Sequence, residues 1–320
     1  MSLIGLNEPA HRDAAALSSR AMRQPREATV TTHSPEWYDR QYNARAGIAD
    51  AVTILRGWAE RSADARAASR CELDLPYGDG RDDTERLDVF RPEGSPDGPA
   101  PVLLHIHGGY WRSLDKRDQS FIARPFAAAG ALVVVPNYAL CPAVTVAQIV
   151  LQVAQAVAWT WRRARAYGGD ERRIVVAGHS AGGHLAAMML ACRWTQLAPD
   201  LPRHLVRTAI PVSGLFDLEP LRHAPFLAAD LRLDAAEARR LSPAAMPPPA
   251  GKRLLPFVGE LESDEFHRQG RLIRRAWGAK VVAAPQAVAG CHHLGVMDAM
   301  ADPSTPLHRA VLGALGLPAS

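Results

Sequence analysis

The amino-acid sequence predicts an α/β fold in which helices cover both faces of a mostly parallel central sheet. Short apolar runs rich in β-branched residues occupy positions 102–107, 131–135 and 173–177, and such runs are typical of buried strands. Segments with helical character separate them at short intervals, as in sheets built from strand–helix–strand units. With 320 residues, of which 48% are hydrophobic, the chain can bury a sizeable core.

The N-terminal residues differ in composition from the rest of the chain. Residues 1–32 mix Arg, Ala, Ser and Glu with few aromatic residues, which predicts a poorly ordered arm. Residues 33–320 contain neither an internal repeat nor a low-complexity linker, so we expect one folded domain there. Ser34 followed by Pro35 predicts the first helix start, and apolar residues at helical spacing predict an amphipathic helix over 48–68.

The sheet is predicted to begin with a hairpin. Apolar and polar residues alternate around a turn that contains Pro, Gly and Asp, which places the two strands at 71–75 and 86–90. A Pro- and Gly-rich loop over 91–101 follows. The later strands are predicted at 102–107, 131–135, 173–177, 208–212, 254–259 and 280–284, and the helices between them at 121–129, 145–167, 183–191 and 266–276.

One long excursion separates two core strands. Residues 219–246 are rich in Ala, Leu and Arg and end at three prolines, so that the excursion runs over 219–249. We expect it to be helical and to form a cap over the site, with a plain crossover as the alternative.

Charge and composition favour a protein that acts on small molecules. The formal charge is +4 and the pI about 9.0, but the arginines are interspersed with Asp and Glu, which argues against a nucleic-acid partner.

Four scattered cysteines form no C-x-x-C pair and suit a reducing compartment. No apolar stretch approaches a membrane span of about 20 residues and no signal sequence is evident, so we expect a cytoplasmic protein with no membrane contact.

The pentapeptide G-H-S-A-G at 178–182 carries the strongest functional signal. A predicted strand precedes it and a predicted helix follows it, so Ser180 lies on a sharp strand-to-helix turn. Glycines on either side relieve crowding at such a turn and leave the serine hydroxyl exposed above the sheet. This arrangement predicts the nucleophile elbow of an α/β-hydrolase, and an ordinary Gly-rich loop is the alternative.

A serine nucleophile needs a histidine base and a carboxylate that orients it. In this fold the chain order is Ser, then Asp or Glu, then His. His292 and His293 follow the last predicted strand, and we favour His293. An acidic cluster follows the strand at 254–259; spacing favours Glu262 as the acid, and Asp264 is the rival that could instead cap the next helix.

The oxyanion of the reaction intermediate needs main-chain N–H donors. Ala181 follows the nucleophile, and Gly108 and Gly109 follow a predicted strand, so these three residues are predicted to form the oxyanion hole. His105 and His107 could suggest a metal site, but no third ligand lies nearby in the sequence, and we expect none. No phosphate-binding glycine loop is present, so no cofactor is expected.

The chain resembles the kynurenine formamidase (arylformamidase) branch of the α/β-hydrolases, which is related to the hormone-sensitive-lipase-like esterases. The resemblance rests on H-G-G-Y-W at 107–111, G-H-S-A-G-G-H-L at 178–185 and S-G-L-F-D-L-E-P at 213–220. It implies that Glu262 is the acid, where family members often carry Asp, and that His293 is the base. The implied reaction is hydrolysis of N-formylkynurenine to kynurenine and formate.

Aromatic residues near the predicted strand ends are candidates for the substrate pocket. Tyr110 and Trp111 leave the oxyanion loop directly, and Tyr138 and Phe216 follow other strands. Core packing is an equal alternative for Tyr138 and Phe216.

Three functions are weighed: an arylformamidase, which the resemblance implies, a carboxylesterase with broad short-acyl specificity, and a non-catalytic binding module on a hydrolase scaffold. The resemblance favours the first over the second, although the same triad serves both. The third is least favoured, because nucleophile, base and oxyanion glycines are all present. The expected partner is a small-molecule substrate. The oligomeric state stays open, and a homodimer is compatible with the sequence.

Overall fold

A computed structural model describes residues 33–80, 82–94 and 98–318. Within them, nine strands form one sheet in the order β1-β2-β4-β3-β5-β6-β8-β9, with β7 beside β6. The strands are β1 (Cys71–Pro76), β2 (Arg86–Phe90), β3 (Ala100–Ile106), β4 (Leu132–Pro136), β5 (Gly169–His179), β6 (Thr208–Val212), β7 (Arg253–Leu254), β8 (Phe257–Gly259) and β9 (Gln286–Val288). β2 is antiparallel to both β1 and β4, and the other pairs are parallel. The predicted hairpin and the α/β fold are confirmed.

The helices of the described residues lie between the strands and at both ends. The α-helices are α1 (Pro35–Tyr42), α2 (Ala51–Ala68), α3 (Lys116–Gln119), α4 (Ala123–Ala128), α5 (Val146–Arg163), α6 (Ala181–Ala191), α7 (Trp194–Leu197), α8 (Pro225–Leu231), α9 (Ala235–Arg240), α10 (Asp264–Trp277), α11 (Gly295–Ala301) and α12 (Pro306–Leu315). Short 3₁₀ turns cover Ser120–Ile122, Ala164–Tyr167, Glu219–His223 and Pro243–Ala245. No helix of these described ranges is long and apolar enough to cross a membrane.

The first helix begins where the sequence predicts it. The Ser34 side chain accepts a hydrogen bond from the N–H of Trp37, and Pro35 occupies the first turn, where its missing N–H costs nothing. The arm predicted over residues 1–32 lies outside the described residues, and the single domain over 33–320 stays a prediction.

The sheet buries a separate apolar layer on each face. Successive side chains of β3 alternate between the layers, with Val102 and Leu104 in one cluster and Leu103 in the other. Helices α5, α6 and α10 contribute to the first cluster, and α2, α11 and α12 to the second. The sheet is therefore covered on both faces, as its continuous apolar strands require.

The structure corrects the last two predicted strands. The stretch 254–259 is split into β7 and β8, and Pro256 lies between them. The strand predicted at 280–284 is reduced to one parallel bridge between Val282 and Leu254. The N–H groups of Val281 and Val282 both donate to the carbonyl of Gly278 in a turn after α10. The true edge strand is β9, whose Gln286 and Ala287 are exposed.

The excursion 219–249 is helical, as predicted. It contains α8, α9 and two 3₁₀ turns, and it packs against α1 as well as against itself.

The turn from β5 into α6 has almost no space between backbone segments. Ser180 adopts φ +55° and ψ −114°, a region that non-glycine residues enter only under strain. A Cβ at Gly178 would lie 2.2 Å from the carbonyl oxygen of Gly182, and one at Gly182 would lie 2.1 Å from that of Ile106. Only glycine fits at these two positions.

We expect Gly178→Ala to lower the free energy of unfolding by about 3 kcal/mol, because backbone atoms cannot move aside for the methyl group. Gly57→Ala is the matched control. Gly57 lies within α2, and no atom lies within 4 Å of the place that an added methyl group would occupy, so the same exchange there should stabilise by about 0.5–1 kcal/mol. Urea unfolding of both variants measures the difference. Equal stability of the two variants would show that the turn tolerates a side chain.

Candidate active site

Ser180 lies at the end of β5 and faces a small cavity. The residue is 2% exposed, and the cavity has a volume of about 90 Å³. The cavity is also lined by Gly109, Tyr110, Leu114, Phe226, His293 and Leu294. Ser180 and His293 therefore line the same cavity.

His293 follows β9, in the loop that leads into α11. Its Nδ1 lies 2.6 Å from Oε2 of Glu262, and because a carboxylate accepts, Nδ1 carries the proton and Nε2 is free to act as a base. The ring packs against Phe266, with centroids 4.6 Å apart. Nε2 of His179 lies 2.8 Å from the His293 carbonyl oxygen, so the residue before the serine also holds the loop of His293.

Glu262 lies in the loop after β8 and is almost fully buried, with a side-chain exposure of 1%. Its Oε1 accepts hydrogen bonds from the Ser213 hydroxyl at 2.5 Å and from the Gly259 N–H at 2.7 Å. Burial raises the pKa of this carboxyl, but the charge of His293 and the hydrogen bonds outweigh burial and hold the pKa of Glu262 below its ordinary value of 4.5. The carboxylate is thus ionised at neutral pH despite its burial.

The alternative residues Asp264 and His292 lie elsewhere. Asp264 is exposed and is the first residue of α10, and the N-cap position expected for it belongs to Ser263. Nδ1 of His292 accepts from the N–H groups of Leu294 and Gly295, at 3.3 and 3.0 Å. Its ring therefore stabilises the start of α11.

Gly108 and Gly109 bring the loop after β3 against the serine. A Cβ at Gly108 would lie 3.3 Å from the Ser180 Cβ, and Gly109 has φ +103°. The Tyr138 hydroxyl donates to the carbonyl of His107 at 3.0 Å, which fixes the loop from behind. Within the described ranges, no acceptor takes the N–H of Gly109 or of Ala181.

Comparisons with known proteins show which proteins this chain is similar to. A family described as BD-FAE matches residues 87–209. A kynurenine formamidase from Danio rerio is 29% identical over 89% of this chain and 94% of its own length. Esterase LipQ from Mycobacterium tuberculosis is 35% identical over 45% of this chain and 35% of its own. A crystal structure from Silicibacter sp., of a protein provisionally described as a thioesterase, is 32% identical with a TM-score of 0.70, and the match covers 83% of this chain and 95% of that one.

The chain belongs to the kynurenine formamidase branch of the α/β-hydrolase superfamily. It is a serine hydrolase that acts on small acyl groups. The predicted family and fold are both confirmed.

Three of the four predicted pocket aromatics of this hydrolase lie away from the cavity. Trp111 is fully buried and contacts His184 edge-on, with centroids 5.0 Å apart. Tyr138 stacks on His107 with centroids 4.1 Å apart, and Phe216 is buried in the core with its N–H bound to Gln269. The prediction that these three residues contact the substrate is therefore corrected. Trp111 and Phe216 pack in the core, and Tyr138 supports the loop of His107. An aromatic side chain that follows a strand can point into the core or into a cavity, and the sequence does not distinguish the two. Tyr110 does line the cavity.

Other cavity residues were missed by the sequence interpretation. Phe226 of α8 comes from the excursion, and its ring meets that of Tyr110 edge-on at 5.7 Å. Arg112 and Leu114 follow the oxyanion loop, and residues 43–45 come from the turn between α1 and α2. Phe226 and the 43–45 turn carry no local motif, so only the tertiary fold reveals them. Arg112 had one signal, its position directly after H-G-G-Y-W.

His105 and His107 have separate partners. Nε2 of His105 lies 2.8 Å from the Gln119 side-chain oxygen, and Nε2 of His107 lies 3.2 Å from that of Asn137. Among the described residues, no group of three His, Cys, Asp or Glu side chains could hold a metal ion.

We expect His293→Phe to raise the pKa of Glu262, because the variant keeps the site filled but removes the imidazole whose electrostatic interaction and hydrogen bond oppose the effect of burial. A titration of the Glu262 carboxyl carbon by ¹³C NMR, in the wild type and in the variant, measures the direction. The wild-type resonance should titrate below the ordinary value of 4.5. A Glu262 pKa that stays the same or falls in the variant would contradict this electrostatic coupling.

Proposed function

We propose that this hydrolase cleaves N-formylkynurenine to kynurenine and formate. The observation that carries the proposal is that His293, which contacts Glu262 at 2.6 Å, lines the same small cavity as Ser180. The similarity to a kynurenine formamidase over nearly the whole chain supports the choice of substrate.

In the proposed reaction Ser180 is the nucleophile and His293 the base. Nε2 of His293 takes the hydroxyl proton as Oγ attacks the formyl carbon, and ionised Glu262 stabilises the imidazolium that forms. The N–H groups of Gly109 and Ala181, which have no acceptor among the described residues, bind the oxyanion and lower the barrier by about 3 kcal/mol each.

The second half of the reaction releases both products. His293 protonates the aryl nitrogen, the C–N bond breaks, and the formyl group stays on Ser180 as an ester. A water molecule, deprotonated by His293, then attacks that ester. His293 returns the proton to Oγ of Ser180 as the ester C–O bond breaks, which releases formate and restores the serine.

The size and lining of the cavity suit a small acyl group beside an aromatic leaving group. A volume of about 90 Å³ accepts a formyl or acetyl group more readily than a long acyl chain. The edge-on pair of Tyr110 and Phe226 offers ring faces and edges for an aryl leaving group to pack against.

A short-acyl carboxylesterase is the second candidate. Esterases are among the similar proteins, and the same nucleophile, base and acid hydrolyse an ester as well as an activated amide. This activity needs no change in the proposed roles of the residues.

A comparison of N-formylkynurenine with p-nitrophenyl acetate separates the two candidates. We expect kcat/KM for the formamide of about 10⁴ M⁻¹ s⁻¹ or more, within the range of natural enzyme–substrate pairs, and loss of both activities in Ser180→Ala. Formamide cleavage at the uncatalysed rate, with the ester still hydrolysed, would leave the carboxylesterase as the function.

Glu262 and Asp264, the two candidates for the acid, provide a matched pair of variants. Glu262→Ala should lower kcat by about 10³- to 10⁴-fold, because His293 loses the group that fixes its tautomer. Asp264→Ala, at the exposed first residue of α10, should keep activity close to that of the wild type. Steady-state kinetics on either substrate measures both, and the reverse order would move the acid to Asp264.

A further inference from the structure

Every charged or titratable side chain that lines the active-site cavity, apart from the Tyr110 phenol, is basic. The lining includes Arg45, Arg112, His179 and His293, and no Asp or Glu. His179 precedes the nucleophile Ser180, and His293 is the proposed base. Neither arginine takes part in the proposed reaction.

Arg112 already has a partner. Its guanidinium forms an ion pair with Asp230 and lies over the Phe226 ring, 5.7 Å from the centroid. Its charge is therefore largely neutralised, and its side chain supports the wall that α8 contributes.

Arg45 differs from Arg112 in this respect. It lies in the turn between α1 and α2 and is exposed, and among the described residues no carboxylate lies within 4.0 Å of its guanidinium. Asp118 is close enough to interact with its charge, but a carboxylate oxygen of Asp118 accepts from the Asp115 N–H at 2.9 Å. Arg45 is thus a cation without an ion-pair partner on the solvent side of the cavity.

We propose that Arg45 binds a carboxylate on the leaving group, so that the enzyme selects aryl amides and esters whose leaving group carries a carboxylate over those that lack one. This inference rests on the reaction centre of the proposed function, and it adds the substrate class that the centre accepts. A guanidinium offers two parallel N–H donors that match the two oxygens of a carboxylate. N-Formylkynurenine carries such a carboxylate at its amino-acid end, remote from the formyl group.

The test uses two esters with the same acyl group, 4-acetoxybenzoate and phenyl acetate. Their leaving groups differ by one carboxylate, so the ratio of their kcat/KM values isolates its recognition. Arg45→Gln should lower this ratio about 5- to 10-fold through KM, as for one charged hydrogen-bonded contact near the surface. Arg45→Glu should lower it further, because it places a like charge beside the carboxylate.

Arg56→Gln is the control. Arg56 lies on α2 with a side-chain exposure of 71% and does not line the cavity, so its loss should leave the ratio unchanged. In the wild type, added salt should also lower the ratio, since an exposed ion pair is screened. An Arg45→Gln ratio equal to that of the wild type, or equal to that of Arg56→Gln, overturns the proposal.

The outcome is separable from that of the formamidase assay. If N-formylkynurenine is not cleaved but the ester ratio falls in Arg45→Gln, the formamide function fails and the carboxylate site stands. If N-formylkynurenine is cleaved and the ratio does not change, the carboxylate site fails and the formamide function stands.

Discussion

The close approach of the β5–α6 turn to the end of β3 is the constraint on which the site depends. Glycines at 178 and 182 let the backbone of this turn meet the carbonyl of Ile106, and Ser180 is held with φ +55°. The loop that follows Ile106 carries Gly108 and Gly109. One contact therefore sets the distance between the nucleophile and the main-chain donors proposed for the oxyanion.

The neighbouring strands extend this arrangement across the sheet. The N–H of Ser180 donates to Val212 at the end of β6, and the N–H of Ser213 donates to Phe257 at the start of β8. The Ser213 hydroxyl then binds Glu262, which binds His293. Because the carboxyl ends of parallel strands meet at one edge, residues far apart in sequence form one hydrogen-bonded chain. A buried carboxylate is costly without partners, and here each oxygen has at least one.

The sequence predicted those parts of the fold and site that have local signals. Strands buried on both faces, the hairpin and the serine turn all carry such signals, and each lies where the pattern predicts. Glu262 and His293 follow strands in a fixed chain order, and the structure brings them into contact. The strand expected at 280–284 forms only one bridge, at Val282, because buried Val281 and Val282 are equally compatible with a packed turn. β9, in contrast, has two exposed residues at an edge and little apolar signal. The prediction that Trp111, Tyr138 and Phe216 line the pocket was wrong for a similar reason, since an aromatic side chain packs in a core or in a cavity with the same local pattern.

Phe226 and Arg45 come from segments with no motif, and only tertiary packing places them at the site.

Covalent labelling with diisopropyl fluorophosphate, mapped by peptide mass spectrometry, tests the central claim most directly. The reagent phosphorylates a serine only where a base has activated it. The account predicts a single adduct on Ser180, formed in the wild type and in Asp264→Ala, and far slower labelling in His293→Ala and Glu262→Ala. An adduct on another residue, or labelling of Ser180 at the wild-type rate without His293, would contradict it.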